Sequence, residues 1–210
     1  MTVRSFFYIQ YLPEKLNPEF LAGRCLRILH GFMSSRQLNN IGVSFPAWSE
    51  NSIGSTIAFV SPDNRLLSSL KSQKYFVSME QESYFKLSEI KTIPSDLCSS
   101  EQLFYRERQQ EMLTPAARER AFRRLKSRAA ARGESYKSVM SYPGNKVLQK
   151  CHSVPLEISS RQIIQFNIGK IDVTAQSEAI FSSYGLGKKD VKIGSVPCLK
   201  PFIFNDASVY

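Results

Sequence analysis

One histidine in a helical segment has the chemistry and the placement of an acid–base catalyst. His30 lies in a segment where Asn17 can cap a helix that Pro18 opens and that runs to about Ser35. On a helical wheel it projects about 180° from the apolar stripe of Leu21, Ile28 and Phe32, so it is not expected in the core. Its unperturbed pKa of about 6.5 suits proton transfer near neutral pH. An exposed imidazole with no role is the alternative reading of this pattern.

The sequence contains no other recognisable catalytic pattern. The second histidine is His152, and no His, Cys and carboxylate residues have metal-ligand spacing. The sequence has no Gly-rich phosphate loop and no recognisable Ser-His-Asp arrangement. The four cysteines lie tens of residues apart and are expected to be reduced. We therefore expect no metal and no cofactor, and an enzyme of this sequence would use metal-free acid–base chemistry.

A second chemical feature is the concentration of arginine between Thr114 and Gly133. This stretch has six arginines and one lysine against one acid, a net charge of +6 out of +10 for the chain. Thr114 can cap a helix, Pro115 fits its first turn and Gly133 can end it, which predicts a helix over residues 115–132. Phe122, Leu125 and Ala129 form only a narrow apolar stripe, which can dock this helix on a domain but cannot bury it.

The arginines of this helix are expected to bind a polyanion. A solvated helix face normally mixes both signs of charge, whereas these side chains lie beside each other without acids. Guanidinium groups make forked contacts to phosphates and to guanine edges. At 100° per residue, Arg120, Arg124, Arg128 and Arg132 form a row along this helix at i, i+4 spacing. Just before the helix, Arg108 and Gln110 have side chains that pair with guanine and adenine, although a polar linker would read the same way.

The composition of the whole chain agrees with a nucleic-acid partner. The chain has 210 residues, 42% of them apolar, and a sequence pI near 9.5, so it can bury a core while attracting an anionic surface. Neither a signal peptide nor a membrane-spanning segment can be recognised. We therefore expect a cytoplasmic protein with no membrane partner.

The elements that would position these residues suggest an α+β fold. Residues 3–12 predict a strand, residues 17–35 a helix, residues 41–46 and 53–60 extended segments, and Asp63 caps a short helix through Leu70. The region from Tyr75 to Ile93 is predicted to be extended. The order β-α-β-β-α-β is the ferredoxin-like arrangement, which is also RRM-like, although the aromatic signature of an RNA-binding RRM sheet is absent. We expect this domain to cover residues 1–97.

The second half is expected to form a separate domain over residues 98–210 that carries the arginine-rich helix. Residues 135–150 are polar and predict a surface excursion. Residues 154–174 alternate like strands, with Ser159 to Gln162 in a loop or at a strand end. The motif from Ile180 to Leu186, IFSSYGL, precedes two lysines and a Pro-containing tail.

Together these stretches resemble the CRISPR-associated endoribonuclease of type I-F systems, the Cas6/Csy4 family, which processes precursor crRNA. The matching stretches are LHGF at 29–32, IGVSFP at 41–46, Arg108 to Gln110, the arginine-rich helix and SYGL at 183–186. The runs CLRILHGF and IFSSYGL are similar to variants encoded with transposons that use crRNA to select their target. The matches span nearly the whole chain in the family's order.

The resemblance implies a mechanism and a set of roles. His30 would be the general base, Tyr184 would pack on it, and a serine would orient the 2′-hydroxyl. Here the sequence departs from the better-known loop, so Ser159 and Ser160 are both candidates, and two hydroxyls that cap a turn are the alternative. Phe166 would stack under the terminal base pair of the repeat. The products would be a 2′,3′-cyclic phosphate and a 5′-hydroxyl.

The resemblance implies RNA contacts as well. Arg123, Arg124 and Arg128 would touch phosphates and groove edges of the repeat stem-loop, and Arg108 and Gln110 would read bases at the foot of the stem. Arg120 is a further RNA-binding candidate because it lies on the same helical row as Arg124 and Arg128.

The resemblance also implies partners. These are the crRNA repeat stem-loop, the backbone and large subunits of the crRNA-guided surveillance complex (Cascade) and, for the transposon variants, the targeting adaptor TniQ. One alternative is a subunit of the same complex that binds the crRNA hairpin without cleaving it. Another is a basic structural or DNA-binding protein whose likeness to the nuclease is accidental.

Overall fold

The structure is a computed structural model of the 210-residue chain. It describes residues 3–12, 17–93, 100–108, 115–135, 150–159, 162–174 and 178–204, and only the backbone of residues 115–118, 121 and 159. The predicted boundary between residues 97 and 98 and the predicted roles of Gln110 and Ser160 fall outside these ranges.

The described part of the chain contains nine strands and five helices. The strands are β1 (Ser5–Tyr11), β2 (Gly42–Ser44), β3 (Thr56–Ser61), β4 (Phe85–Leu87), β5 (Lys91–Thr92), β6 (Glu101–Arg106), β7 (Cys151–Ser159), β8 (Gln162–Val173) and β9 (Val196–Pro197). The helices are α1 (Pro18–Ser35), α2 (Asn64–Lys71), α3 (Lys74–Gln81), α4 (Pro115–Ala131) and α5 (Lys200–Phe204).

The first sheet has the strand order of the predicted ferredoxin-like fold. Its order is β2-β3-β1-β4, with β5 also paired to β1, and the pairs are antiparallel. In the central pair Phe7 lies opposite Phe59, and both rings are buried with centroids 5.1 Å apart. The α+β fold class predicted from the sequence is confirmed.

Helix α1 begins where the sequence predicts. The Asn17 side chain accepts a hydrogen bond from the Phe20 amide at 2.9 Å, and Pro18 occupies the first turn, where its missing N–H costs nothing. The stripe that includes Leu21, Cys25 and Leu29 is buried in the core.

The prediction that residues 75–93 are extended is wrong for their first part. Residues Lys74–Gln81 form helix α3, and the chain becomes extended only at Phe85. The run Tyr-Phe-Val favours a strand by local propensity. Helical spacing instead brings Phe76 and Met79, three residues apart, onto the core together, and this packing outweighs the propensity.

The second sheet has the order β7-β8-β6-β9 and is antiparallel. Strands β7 and β8 form a long hairpin whose register shifts between Glu157 and Ser159. The prediction that Ser159 to Gln162 lies in a loop or at a strand end agrees with its two outer residues, because Ser159 ends β7 and Gln162 begins β8. Residues 160 and 161 lie outside the described residues. Strand β7 begins earlier than predicted, at Cys151. Strand β6 had no counterpart in the sequence prediction.

The two sheets are joined through buried contacts. A Cβ atom on Gly23 of α1 would lie 2.1 Å from the Pro155 carbonyl oxygen of β7, so only glycine allows this close approach. Arg4, beside β1, forms a buried ion pair with Glu101 of β6. Buried apolar residues from both sheets form one cluster. Helix α1, which carries His30, lies at this junction.

Helix α4 has the expected position and end. Gly133 has φ +72°, and the Glu134 amide donates to the Ala129 carbonyl at 2.9 Å, which is a glycine-type helix end. Ala129 is buried, while Phe122 and Leu125 are 37% and 44% exposed, so the apolar stripe is only partly covered. Within the described ranges no helix is both long and apolar enough to cross a membrane.

Candidate active site

His30 of α1 meets the loop that carries the SYGL motif. Its imidazole stacks on the ring of Tyr184, with centroids 4.3 Å apart and planes inclined by only 5°. The two residues are 154 positions apart in the chain, so only the tertiary fold brings them together. His30 is half-buried by this loop and not by the core, which agrees with its predicted place on the polar side of the helix.

The stacking on Tyr184 sets the plane of the imidazole, and a hydrogen bond to a serine fixes its rotation. Nδ1 of His30 lies 2.8 Å from Oγ of Ser183, and Ser34 lies further away at 3.4 Å. The direction of the first hydrogen bond depends on the imidazole tautomer. When Nδ1 carries the proton, Oγ of Ser183 accepts a hydrogen bond from Nδ1–H and Nε2 keeps its lone pair. Ser183 belongs to the SYGL motif, and its contact with His30 is not among the predicted roles.

The loop that holds Tyr184 is tightly fixed. The Ser182 amide donates to the Leu186 carbonyl and the Gly185 amide to the Ser182 carbonyl, both at 2.8 Å. Gly185 has φ +72°, and its carbonyl accepts from the Val43 amide of β2 at 2.9 Å. A Cβ atom there would lie 2.5 Å from the Val43 side chain. This glycine therefore allows the loop to pack closely on β2.

Partial burial lowers the pKa of His30 below its ordinary value of 6.5, because burial disfavours the charged imidazolium. The neutral imidazole therefore predominates at pH 7. A neutral imidazole can accept a proton, which is the state that a general base needs.

The stacked pair continues into a second aromatic residue and a guanidinium group. The rings of Tyr184 and Phe166 have centroids 5.0 Å apart. The Arg106 guanidinium carbon lies 4.5 Å from the centroid of Phe166, a cation–π geometry. Phe166 is only 2% exposed. Any group that approaches Phe166 from the Arg106 side therefore meets the guanidinium first.

Strand β7 crosses α1 next to this site. Its Pro155 packs on Gly23, and two residues further on Glu157 pairs with Arg24 at 3.0 Å and with Arg27 at 2.6 Å. The strand thus advances along α1 in the direction of His30. Ser159 ends the strand two residues later, where the structure describes its backbone alone.

The arginines of α4 share one face. Arg120, Arg123, Arg124 and Arg128 are exposed and, with Ser127, line an open depression of about 440 Å³. Seventeen residues of helix extend about 25 Å at 1.5 Å per residue, which is long enough to follow several nucleotides. Arg108 is also exposed, just beyond the end of β6.

No three His, Cys, Asp or Glu side chains of the described ranges are arranged to hold a metal ion.

Comparison with known proteins identifies the family. The family model described as "CRISPR-associated protein (Cas_Csy4)" matches residues 6–198, which is most of the chain. The chain belongs to the Cas_Csy4 family. The match runs from β1 to just beyond β9, so this Cas_Csy4 chain carries His30, the SYGL loop and the arginine-rich helix within the matched range.

Three solved structures resemble this Cas_Csy4 chain at low sequence identity. "CRISPR associated protein Cas6" is 9% identical with a TM-score of 0.36, and the match covers 93% of this chain and 98% of that one. "CRISPR endoribonuclease Cse3 bound to 19 nt RNA" is 13% identical with a TM-score of 0.35, covering 93% and 100%. "An RAMP protein binding different RNA substrates" is 12% identical with a TM-score of 0.34, covering 88% and 97%. No curated protein is significantly similar in sequence.

The structure thus brings together only part of the predicted site. His30 and Tyr184 are in direct contact, and Phe166 joins them through Tyr184. Sequence reasoning missed Ser183 and Arg106, which contact His30 and Phe166. Two features of the sequence could have indicated these residues. One is the pair of serines in IFSSYGL, and the other is the basic residue that follows the aromatic residues at the end of β6.

Proposed function

We propose that this protein is an endoribonuclease that binds the stem-loop of a CRISPR repeat and cleaves precursor crRNA. The observation that carries the proposal is the held imidazole of His30, stacked on Tyr184 and hydrogen-bonded to Ser183 at the edge of the fold. The family supports the RNA substrate, and the positively charged face of α4 supplies a surface for it.

The reaction needs no nucleophile from the protein, because RNA carries a 2′-hydroxyl beside each phosphate. In the proposed step, Nε2 of His30 takes the 2′-hydroxyl proton while O2′ attacks the adjacent phosphorus. The P–O5′ bond breaks, and the departing oxygen takes a proton from solvent water. The products are a 2′,3′-cyclic phosphate and a 5′-hydroxyl, and no metal ion takes part.

The neighbours of His30 act as positioning residues in this mechanism. Ser183 accepts a hydrogen bond from Nδ1–H and so favours the tautomer with a basic Nε2. Tyr184 sets the plane of the ring, and a fixed plane matters because a proton acceptor must lie within about 3 Å of the group it deprotonates. Both residues belong to one loop, so this loop sets both the plane of the imidazole and the hydrogen bond at its Nδ1.

A serine at the β7–β8 hairpin tip would orient the 2′-hydroxyl. Ser159 and Ser160 remain the candidates, and the course of β7 from Gly23 past Arg27 supports them because it leads towards His30.

Recognition of the stem-loop is assigned to the basic elements. Arg120, Arg123, Arg124 and Arg128 would contact phosphates and the groove of the stem, where guanidinium groups can bind in forked geometry. Arg108 and Gln110 would read bases at the foot of the stem. The terminal base pair would meet the Arg106 guanidinium backed by Phe166, because that group covers the ring.

After cleavage the protein would stay on the 3′ hairpin of the crRNA as one end of a Cascade complex. Its protein partners would be the backbone and large subunits and, in a transposon-associated system, the adaptor TniQ. A protein that binds the hairpin without cleaving it is the alternative outcome.

The test is incubation of the purified protein with its repeat hairpin RNA in excess EDTA. We expect cleavage at a single position, a product with a 2′,3′-cyclic phosphate by mass spectrometry, and no cleavage of an RNA with 2′-deoxyribose at the cut site. Tight binding of the natural RNA without cleavage would instead identify a crRNA-binding subunit that has lost activity. Cleavage of the 2′-deoxy RNA would exclude the proposed mechanism.

A further inference from the structure

A glycine beside His30 has no structural explanation within the described part of the fold. Gly31 lies in the interior of α1 and is exposed, and a Cβ atom built on it would have no neighbour within 4 Å among the residues that the structure describes. Glycine in a helix interior is destabilising relative to alanine. Gly23 in the same helix differs, because its close contact with Pro155 requires glycine. The open space over Gly31 is therefore a candidate for close approach by a ligand.

Gly31 lines a groove between α1 and the start of α3. The groove has a volume of about 300 Å³, at the lower end of the usual range for a small-molecule site. Its lining residues are Arg24, Arg27, Ile28, Gly31, Phe32, Gln73 and Tyr75. One side is therefore cationic, and Tyr75 supplies an aromatic side chain of the kind on which a nucleobase can stack.

The cationic side of the groove keeps a net positive charge. Arg24 and Arg27 share one carboxylate, that of Glu157, at 3.0 and 2.6 Å. Two guanidinium groups against one carboxylate leave a formal charge of +1. Both arginine side chains are about 40% exposed, so their remaining N–H groups can reach a phosphate.

The groove lies on the flank of His30 away from Tyr184. Leu29 and Gly31 project about 100° to either side of His30, because successive residues of an α-helix are rotated by that angle. The SYGL loop packs on the Leu29 side, where a Cβ atom on Gly185 would lie 2.8 Å from the Leu29 side chain. The groove opens on the Gly31 side. An RNA strand that passes over His30 from the Tyr184 side would therefore enter the groove next.

We propose that this groove binds the single-stranded RNA immediately 3′ of the scissile phosphate. One nucleobase would lie against Tyr75, a phosphate would meet Arg24 and Arg27, and the RNA backbone would pass over Gly31. The proposal rests on the proposed function, in which the stem-loop lies 5′ of the cut. The groove would align the leaving 5′ oxygen opposite the attacking 2′-hydroxyl by holding the strand that carries it.

The test compares two uncleavable RNAs, both with 2′-deoxyribose at the cut site. One ends one nucleotide past the scissile phosphate, and the other extends four nucleotides past it. We expect the wild-type protein to bind the longer RNA about five- to a hundredfold more tightly, as one stacked base would provide. In Gly31→Leu the ratio of the two dissociation constants should fall to about one. Arg65→Gln, an exposed arginine of α2 outside the groove, should keep the wild-type ratio.

A crosslink in the wild-type protein provides a second measurement that needs no variant. 4-Thiouridine at the second nucleotide past the cut should crosslink to a peptide that contains residues 24–31 or 73–75. If wild type binds both RNAs equally and the crosslink maps elsewhere, the groove proposal is wrong while the proposed function stands. If wild type binds neither RNA, the proposed function is wrong and the groove proposal fails with it.

Discussion

The imidazole of His30 and the phenol ring of Tyr184 lie face to face, 4.3 Å apart and inclined by 5°. The same imidazole is hydrogen-bonded through Nδ1 to Ser183, the residue that precedes Tyr184. Two adjacent residues of one loop therefore fix both the plane and the rotation of the proposed base. Substitutions at Tyr184 and at Ser183 can therefore perturb the plane and the rotation of the imidazole separately.

The stacking role of Tyr184 requires an aromatic ring and not the hydroxyl. Tyr184→Phe should keep nearly the wild-type single-turnover cleavage rate, whereas Tyr184→Leu should lower it about two- to tenfold, the value of one aromatic contact. The dissociation constant for uncleavable hairpin RNA should be similar in both. If the phenylalanine variant is as slow as the leucine variant, the hydroxyl is required and the stacking account is wrong.

The hydrogen bond that Nδ1–H of His30 donates to Ser183 should set the tautomer of His30. Ser183→Ala removes a bond worth about 0.5–1.5 kcal/mol, so cleavage should slow about two- to tenfold. The ¹⁵N chemical shifts of the imidazole should also move towards the Nε2–H tautomer. Ser34→Ala is the matched control, because its contact at 3.4 Å is long and its loss should change little. Equal effects of the two substitutions would contradict the assignment.

The lowered pKa of His30 gives the pH dependence a definite sign. In the free protein the imidazole should titrate below pH 6.5, which the ¹H–¹³C signal of its ring can measure by NMR, with His152→Gln to assign it. The unfolded chain, in which the pKa of His30 has its ordinary value, binds the proton more readily than the folded protein does. The stability of the folded protein should therefore decrease as pH falls from the unfolded-state pKa to the lower folded-state pKa. The single-turnover rate should also fall at acidic pH, where the base is protonated. A midpoint above 6.5 in the free protein would contradict the burial argument.

The α4 arginines should contribute to RNA affinity through phosphate contacts. Arg124→Gln or Arg128→Gln should reduce the slope of log Kd against log salt concentration by about one unit. Lys126→Gln removes the same charge from the opposite face of the helix and should leave the slope nearly unchanged. An equal reduction of this slope in all three variants would mean that the helix acts only through its total charge.

Substitution by alanine should change the stability of the protein in opposite directions at two glycines near His30. Gly185→Ala places a Cβ atom 2.5 Å from Val43 at a positive φ, so it should destabilise the protein by about 1–3 kcal/mol. Gly31→Ala fills open space in a helix and should stabilise it by about 0.5–1 kcal/mol. Urea unfolding of both variants measures the difference. Destabilisation by Gly31→Ala would show that its conformation, and not space for a ligand, explains the glycine.

Local signals in the sequence were sufficient to predict where helix α1 begins and where helix α4 ends. The Asn17 cap, Pro18 and Gly133 each act within a few residues, and the periodicity of α1 placed His30 away from the core. The resemblance carried by SYGL then supplied the partner for His30, because a contact across 154 positions has no local signal. The predicted RNA-binding roles remain predictions.

The failures have physical reasons as well. Helix α3 was predicted as extended because its aromatic residues favour strands, whereas the burial of Phe76 in the tertiary fold decided the outcome. Strand β6 was missed because its pairing with β8 involves residues more than 60 positions away. Ser183 and Arg106 act on His30 and Phe166 through geometry that only the assembled fold defines.

The most direct test of the central claim is the single-turnover cleavage rate of His30→Ala on the repeat hairpin RNA, measured in EDTA. We predict a loss of about 10²- to 10⁴-fold with an unchanged dissociation constant for the hairpin, and partial recovery when free imidazole is added. His152→Gln, which alters the other histidine, should cleave at nearly the wild-type rate. If His30→Ala binds and cleaves like the wild type, His30 is not the base and the proposed mechanism is wrong.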